Sequence, residues 1–231
     1  MKVGIIGAGQ IGGTLVRRFT AVGHDVFVAN SRGPETLAQW AAETHAHAVT
    51  AHEAARAGEV VVIAVPEINV RDLPKDLFAG VPDRVAVVDT GNYYPQQRDG
   101  RIDEIEDGMP ESRWVELQIG RPIVKAFNNI AAQHLMDLGK PKGTPGRIAL
   151  PVAGDNKQHK TLVMQLIDEI GFDPVDAGGL DESWRQQPAT PVHATDLDAE
   201  RARRALAEAS GLRKPEWRAT PTSSGTFAKP A

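Results

Sequence analysis

The chain is 231 residues long, with 26 basic against 30 acidic residues for a formal charge of −4, and 41% hydrophobic against 24% charged residues. That composition excludes a disordered chain, and without a basic surplus it argues against nucleic acid or an anionic membrane surface as the partner. The absence of cysteine excludes a disulfide framework, a thiolate nucleophile and a zinc ribbon, in keeping with a reducing compartment.

Met1 to Ile6 enters folded sequence at once, and its apolar run is far shorter than a signal-peptide core or a membrane span, so a soluble cytoplasmic protein is expected. Val3 to Ile6 reads as a β-strand, followed by a helix in which the apolar residues Ile11, Leu15, Phe19 and Val22 recur at near-helical spacing before Gly23 stops the pattern. Asp25 to Ala29 predicts a second strand. Pro34 suits the first turn of a helix through Leu37 and Trp40, and Thr50-Ala51-His52-Glu53 has capping-box spacing ahead of Gly58. Val60 to Val65 and Val85 to Val88 are continuous apolar runs, as required of strands covered by helices on both faces. Ile123 to Phe127, Ile148 to Leu150 and Phe172 to Val175 extend the sheet, with a helix carrying Leu162, Val163, Leu166, Ile167 and Ile170 before the last. The reading is an α/β fold with a doubly wound, mostly parallel sheet of about eight strands. Thr90 to Gly120, rich in Gly, Pro and charge, reads as a loop over one end of that sheet. From Gly178 the texture changes to a Gly, Gln, Pro and Thr-rich stretch, a short helix from about Asp198 to Ala209, and a Pro, Ser, Thr and Gly tail expected to be an arm or disordered. Two units are expected: residues 1–179, and a C-terminal helical segment and arm over 180–231.

Gly7-Ala8-Gly9-Gln10-Ile11-Gly12 has the G-x-G-x-x-G spacing between a predicted strand and a predicted helix, which marks a Rossmann-type dinucleotide-binding unit. The first glycine permits the turn, the second lets a pyrophosphate approach bare backbone, and the third lets helix and strand pack closely; unpaired helix N–H groups then face the phosphates. An acidic residue at the end of the second strand would bind a ribose diol, but this chain has Asn30-Ser31-Arg32 there. A hydroxyl and a guanidinium suit a 2′-phosphate, so the expected cofactor is NADP(H).

Ligands of open α/β sheets lie beyond the carboxyl ends of the strands. That selects Val65-Pro66, Asp89-Thr90-Gly91-Asn92 and Ala126-Phe127-Asn128-Asn129-Ile130 as the lining of a nicotinamide pocket, with amide side chains to orient the carboxamide. No catalytic acid or base is assigned. Asp89 reads as a cap for the following loop, and His45, His47 and His52 read as solvated side chains with no metal. Hydride transfer between stacked rings depends on geometry and exclusion of water more than on a proton-moving residue, which favours a flavin-like acceptor.

Taken together, the Gly7 to Gly12 turn, Asn30-Ser31-Arg32, Val124-Lys125-Ala126-Phe127-Asn128, and Pro151 to Asp155 with Gly171 to Gly178 resemble the deazaflavin (coenzyme F420)-dependent NADP oxidoreductases. They are also similar to the cytosolic NADPH-oxidoreductase domain of the six-transmembrane metalloreductases. The resemblance covers about residues 1 to 180. It implies NADPH at the glycine turn, with Gln10 and Ile11 on the cofactor and Ser31 and Arg32 on its 2′-phosphate. It further implies Val65, Pro66, Phe127, Asn128, Asn129 and Ile130 along the nicotinamide and acceptor wall, a homodimer, and coenzyme F420, FMN or FAD as the ring partner. Trp184 reads equally as a ring cover or as packing for the C-terminal segment.

Two alternatives stand beside a hydride exchange with a deazaflavin or flavin. One is a reductase of a small oxo or imino substrate, although the 51 residues after Leu180 are short for the helical domain such enzymes use. The other is an NADPH-sensing module without turnover.

Overall fold

A computed structural model describes residues 1–223. Eight strands form one sheet: β1 (Lys2–Ile6), β2 (Asp25–Ala29), β3 (His47–Ala48), β4 (Val60–Ile63), β5 (Ala86–Asp89), β6 (Ile123–Lys125), β7 (Ala149–Gly154) and β8 (Asp173–Asp176). Their order is β3-β2-β1-β4-β5-β6-β7-β8, and every neighbouring pair is parallel except β6 and β7. The eight described helices are α1 (Gln10–Ala21), α2 (Ala38–Glu43), α3 (Ala51–Ala57), α4 (Asp103–Glu106), α5 (Glu111–Ile119), α6 (Ala132–Asp137), α7 (Lys157–Glu169) and α8 (Ala199–Ala207).

Strand periodicity sends alternate residues to opposite faces. Val3, Ile5, Val28, Val60, Val62 and Val88 meet Leu15 and Phe19 of α1 and Val163, Leu166 and Ile167 of α7. On the other face Val87 and Ile123 meet Trp114 and Val115 of α5, while Ile6, Ala29 and Val61 meet Ala54 and Ala55 of α3. From β1 the chain builds outward to β2 and β3, then crosses back to place β4 on the other side of β1. The crevice at the carboxyl ends of β1 and β4 is therefore the topological switch point, where such sheets bind ligands. The Thr50 capping box is present, with Glu53 N–H on the Thr50 hydroxyl and the Glu53 carboxylate accepting from Thr50 N–H at 2.8 Å.

Three expectations are corrected. Residues 90–120 are not a loop: they contain a single π-helical turn (Pro95–Asp99), α4 and α5. Glu111 and Ser112 of α5 face inward, so buried polar residues hid the helical pattern. The helix expected from Pro34 through Trp40 breaks into a 3₁₀ turn (Pro34–Thr36) and α2. The start of the tail is no free arm: Arg213 pairs with Glu111 at 2.7 Å, Ala219 N–H donates to Glu106 at 2.7 Å, and Gln96 donates to the Arg218 carbonyl at 2.8 Å. The remainder of that tail, 224–231, lies outside the described residues. Upstream, α8 covers the end of the sheet through Ala202, Ala205 and Leu206 against Ala149 and Val175.

Polar chemistry is buried where β5 and β6 lie side by side. Lys125, fully buried, donates to Asp89 at 2.9 Å and to the Gly91 carbonyl at 2.6 Å; Asp89 also accepts from Ser112 Oγ and Gly91 N–H, both at 2.7 Å. Burial alone would lower the Lys125 ammonium, but the Asp89, Glu67 and Glu111 carboxyls hold it above its ordinary value. Breaking such a pair costs about 3–5 kcal/mol, because one charge is left uncompensated. Glu67, also fully buried, has no hydrogen-bond partner among the described residues on either carboxyl oxygen. Burial, reinforced by Asp89, raises it well above its ordinary value, so the native state holds that proton more tightly than the unfolded chain does.

A native group that retains a proton the unfolded chain has released loses stability as pH rises from the unfolded value toward the native one. Glu67→Gln should therefore match the wild type near pH 4 and exceed it at pH 8 in urea unfolding. A difference that stays constant between those pH values would contradict an upward shift of the buried Glu67.

Candidate functional site

The turn after β1 is shaped by contacts that only glycine allows. Gly7 has φ 109°, and a Cβ there would lie 2.3 Å from the Ala64 carbonyl oxygen; a Cβ at Gly12 would lie 1.9 Å from the Gly7 carbonyl oxygen. Gly9 differs, with nothing within 4 Å of the place a Cβ would take. Its bareness serves no internal packing and leaves open a cradle beside the start of α1. That helix has no side-chain cap and no acidic residue in its first turn, so its leading N–H groups and dipole face the opening.

Across the crevice, Asn30 organises the turn after β2: its Oδ1 accepts from Arg32 N–H at 2.9 Å and its Nδ2 donates to Thr36 Oγ1 at 2.9 Å. The Arg32 side chain is exposed and makes no hydrogen bond or ion pair among the described residues. Asn30, Ser31 and Arg32 line a cavity of about 850 Å³ together with Gly7, Gly9, Val65 and Pro66. Asp72 stands on the far wall, accepting from Asn69 at 3.1 Å.

A second cavity of about 590 Å³ shares Gly9, Ala64, Val65 and Pro66 with the first, making one groove across the ends of β1 and β4. Gln10, Ile11, Asn128, Asn129 and Ile130 line it, as do Asn92, Tyr94, Arg98 and His193. Ala126 and Phe127, read from sequence as part of this wall, turn instead into the core; the Phe127 ring packs edge-on against Phe19 at 6.3 Å. Phe127 takes a left-handed φ of 63°, a costly conformation for a bulky residue, and this turn delivers Asn128 to Ile130 to the groove. Gly12 serves the turn by packing and is not among the residues lining either cavity.

The two asparagines, alike in sequence, differ in commitment. Asn128 donates to the Gln186 carbonyl at 2.7 Å and to Asn92 Oδ1 at 3.0 Å, and accepts from Gln186 Nε2 at 2.9 Å, so its amide clasps the C-terminal segment. Asn129 is 1% exposed, and neither its Oδ1 nor its Nδ2 has a partner among the described residues. An unpaired buried amide costs about 1–3 kcal/mol. It presents an NH₂ donor group and a carbonyl acceptor, the complement of a carboxamide. The open Gly9 cradle, the uncommitted Arg32 and the orphaned Asn129 amide together fit a phosphorylated nicotinamide dinucleotide.

Asp89 acts as the cap expected of it. His47 pairs with Asp25 at 2.8 Å and His52 with Asp76 at 3.0 Å, and the described residues contain no cluster of three or more His, Cys, Asp or Glu able to hold a metal. No described helix is long and apolar enough to cross a membrane. Trp184 lies under Arg185 at 4.4 Å and beside the 211–213 segment, away from the groove, so it packs the C-terminal region. Sequence reading missed Tyr94, Arg98 and His193. Tyr94 carried a signal, following a strand-end turn; His193 carried none, since it meets Tyr94 across 99 residues of chain.

Residues 2–93, spanning β1 to β5, match the family described as NADP oxidoreductase, coenzyme F420-dependent. YjhV of Escherichia coli K12 is 48% identical over 59 residues, 26% of this chain, and the chain spans only 43% of that protein's length. The hypothetical protein SMa0349 of Sinorhizobium meliloti is structurally similar with a TM-score of 0.70 and 32% identity, over 85% of this chain and 94% of that one. A protein of Arthrobacter sp. FB24, provisionally named an F420-dependent NADP-reductase, shares the fold with a TM-score of 0.62 and 22% identity, over 78% of this chain and 86% of that one. With one relative 32% identical along nearly its whole length and the family match running through the glycine turn, the chain belongs to the coenzyme F420-dependent NADP oxidoreductase family.

Proposed function

We propose that the protein exchanges a hydride between NADP(H) and a deazaflavin or flavin ring. The observation that carries this reading is the pair of adjoining cavities, about 850 and 590 Å³, that share Gly9, Ala64, Val65 and Pro66 and carry Arg32 on one wall and Asn129 on the other. NADPH, when bound, supplies the hydride. The leading N–H groups of α1 hold the pyrophosphate, Ser31 and Arg32 hold the 2′-phosphate, and Asn129 orients the carboxamide. Val65, Pro66 and Ile130 provide apolar surface against which a planar acceptor stacks while water is excluded. A pocket of about 590 Å³ lies within the range for ligand sites, roughly 300–1,000 Å³.

NADPH absorbance followed with coenzyme F420, FMN, FAD and a set of oxoacids and cyclic imines tests the reading directly. Turnover with a ring acceptor supports it; turnover confined to an oxoacid or imine replaces the acceptor, and tight binding with no turnover on any of them replaces catalysis with sensing.

Arg32→Ala removes charge-assisted bonds worth about 1.5–3 kcal/mol, so calorimetry should show roughly 10- to 100-fold weaker NADPH binding and little change for NADH. Equal losses for both would remove the 2′-phosphate assignment. Asn129→Leu should raise unfolding stability of the free protein by about 1 kcal/mol, since a buried unpaired amide disappears, while weakening NADPH binding about tenfold. Thermal unfolding with and without NADPH reads both effects, and a destabilised variant with unchanged binding would show that Asn129 serves packing alone.

A further inference from the structure

Hydride addition to a carbon joined to, or conjugated with, nitrogen or oxygen leaves an electron pair on the heteroatom, and that atom then needs a proton. Among the described residues, three titratable side chains line the acceptor cavity: Tyr94, Arg98 and His193. A guanidinium does not give up its proton at any working pH, which leaves the other two.

Tyr94 Oη and His193 Nε2 lie 3.3 Å apart. Both partners are braced. Tyr94 N–H donates to Asp99 at 2.7 Å, the Arg98 guanidinium stands over its ring at 5.2 Å, and the Trp217 ring closes the outer side at 5.9 Å. Next to His193, Ala194 adopts a left-handed φ of 53° and donates its N–H to the Asn129 carbonyl at 2.8 Å. The same backbone that carries the orphaned amide thus also fixes the histidine, a local strain of the kind found at functional sites.

The charges around the pair set its protonation states. Burial, with the Lys125 ammonium adding to it and the Gln186 carbonyl opposing, lowers His193 to about 4, so the ring is neutral at pH 7. Burial, with Glu111 and Asp99 adding and Arg98 and Lys125 opposing, raises Tyr94, so its hydroxyl is intact. A neutral ring and an intact phenol can pair in either direction; the donor role belongs to the tautomer in which Nδ1 carries the ring proton and the Tyr94 O–H donates to Nε2.

Resting on the function proposed above, we infer that Tyr94 is the proton donor of the acceptor pocket, oriented by His193, and that the acceptor carries nitrogen or oxygen in conjugation with the carbon that is reduced. In balance, the carbon gains a hydride, a proton with two electrons, from the reduced cofactor, and the π pair moves to the heteroatom. That atom takes the Tyr94 proton, and the phenolate regains one from solvent.

Nitrogen-15 NMR of the free protein at pH 7 is expected to find His193 neutral with its proton on Nδ1, and the tautomer preference is expected to vanish in Tyr94→Phe. A charged His193, or a tautomer indifferent to Tyr94→Phe, overturns the pairing. In turnover with the acceptor identified above, Tyr94→Phe is expected to keep NADPH affinity within about twofold while kcat falls about 10²- to 10⁴-fold, the usual worth of a positioned acid. His193→Gln is expected to retain part of that rate. Full turnover in Tyr94→Phe with NADPH still bound overturns the proton role alone, whereas failure of the wild type to bind NADPH overturns the functional reading and leaves the NMR result to decide the pair.

Discussion

The near wall of the groove follows from how closely α1 approaches β1. With Gly12 seated against the Gly7 carbonyl, where any Cβ would lie 1.9 Å from oxygen, the helix starts immediately beyond the strand end and aims its unpaired N–H groups across the switch point. Any side chain at either position would push helix and strand apart and turn those groups off the groove. Gly9 completes the arrangement by leaving the approach clear. The parallel sheet supplies the rest of the frame, since β4 ends beside β1 and brings Ala64, Val65 and Pro66 to the same crevice.

The far wall of the groove depends on a different interaction. Lys125 and Asp89, buried side by side on β6 and β5, tie down the Gly91 turn and set the level from which Asn128 to Ile130 emerge. The chain then passes through the strained Phe127, whose ring is surrendered to the core so that the next three residues face outward. Asn128 spends its amide on Gln186, which draws the C-terminal segment over the pocket and brings His193 to Tyr94. A buried ion pair, a strained turn and an amide clasp thus act in series to build one surface.

Much of this was legible in local sequence. The glycine spacing, the Asn30-Ser31-Arg32 turn and the apolar strands are short-range signals whose physical meaning does not depend on distant residues. Asp89 as a cap is legible for the same reason. What stayed hidden depends on tertiary contact. Asn128 and Asn129 are chemically identical in a string of letters, and only the packing of Gln186 makes one a clasp and leaves the other unpaired. Phe127 read as a pocket residue because it follows a strand, while its backbone conformation reverses the direction of its side chain. α5 was obscured because its inward face carries Glu111 and Ser112, whose partners Arg213 and Asp89 lie far away in sequence. His193 is the extreme case, silent until the chain folds back on itself.

The central claim is that a phosphorylated nicotinamide dinucleotide lies across the ends of β1 and β4. Backbone amide NMR on the nitrogen-15-labelled protein titrated with NADPH tests it most directly. The account expects the largest shifts at Gly9, Ile11, Ser31, Arg32 and Asn129. Shifts centred instead on the separate hollow around Met109, Trp184 and Leu212, or no shifts at all at saturating NADPH, would contradict it.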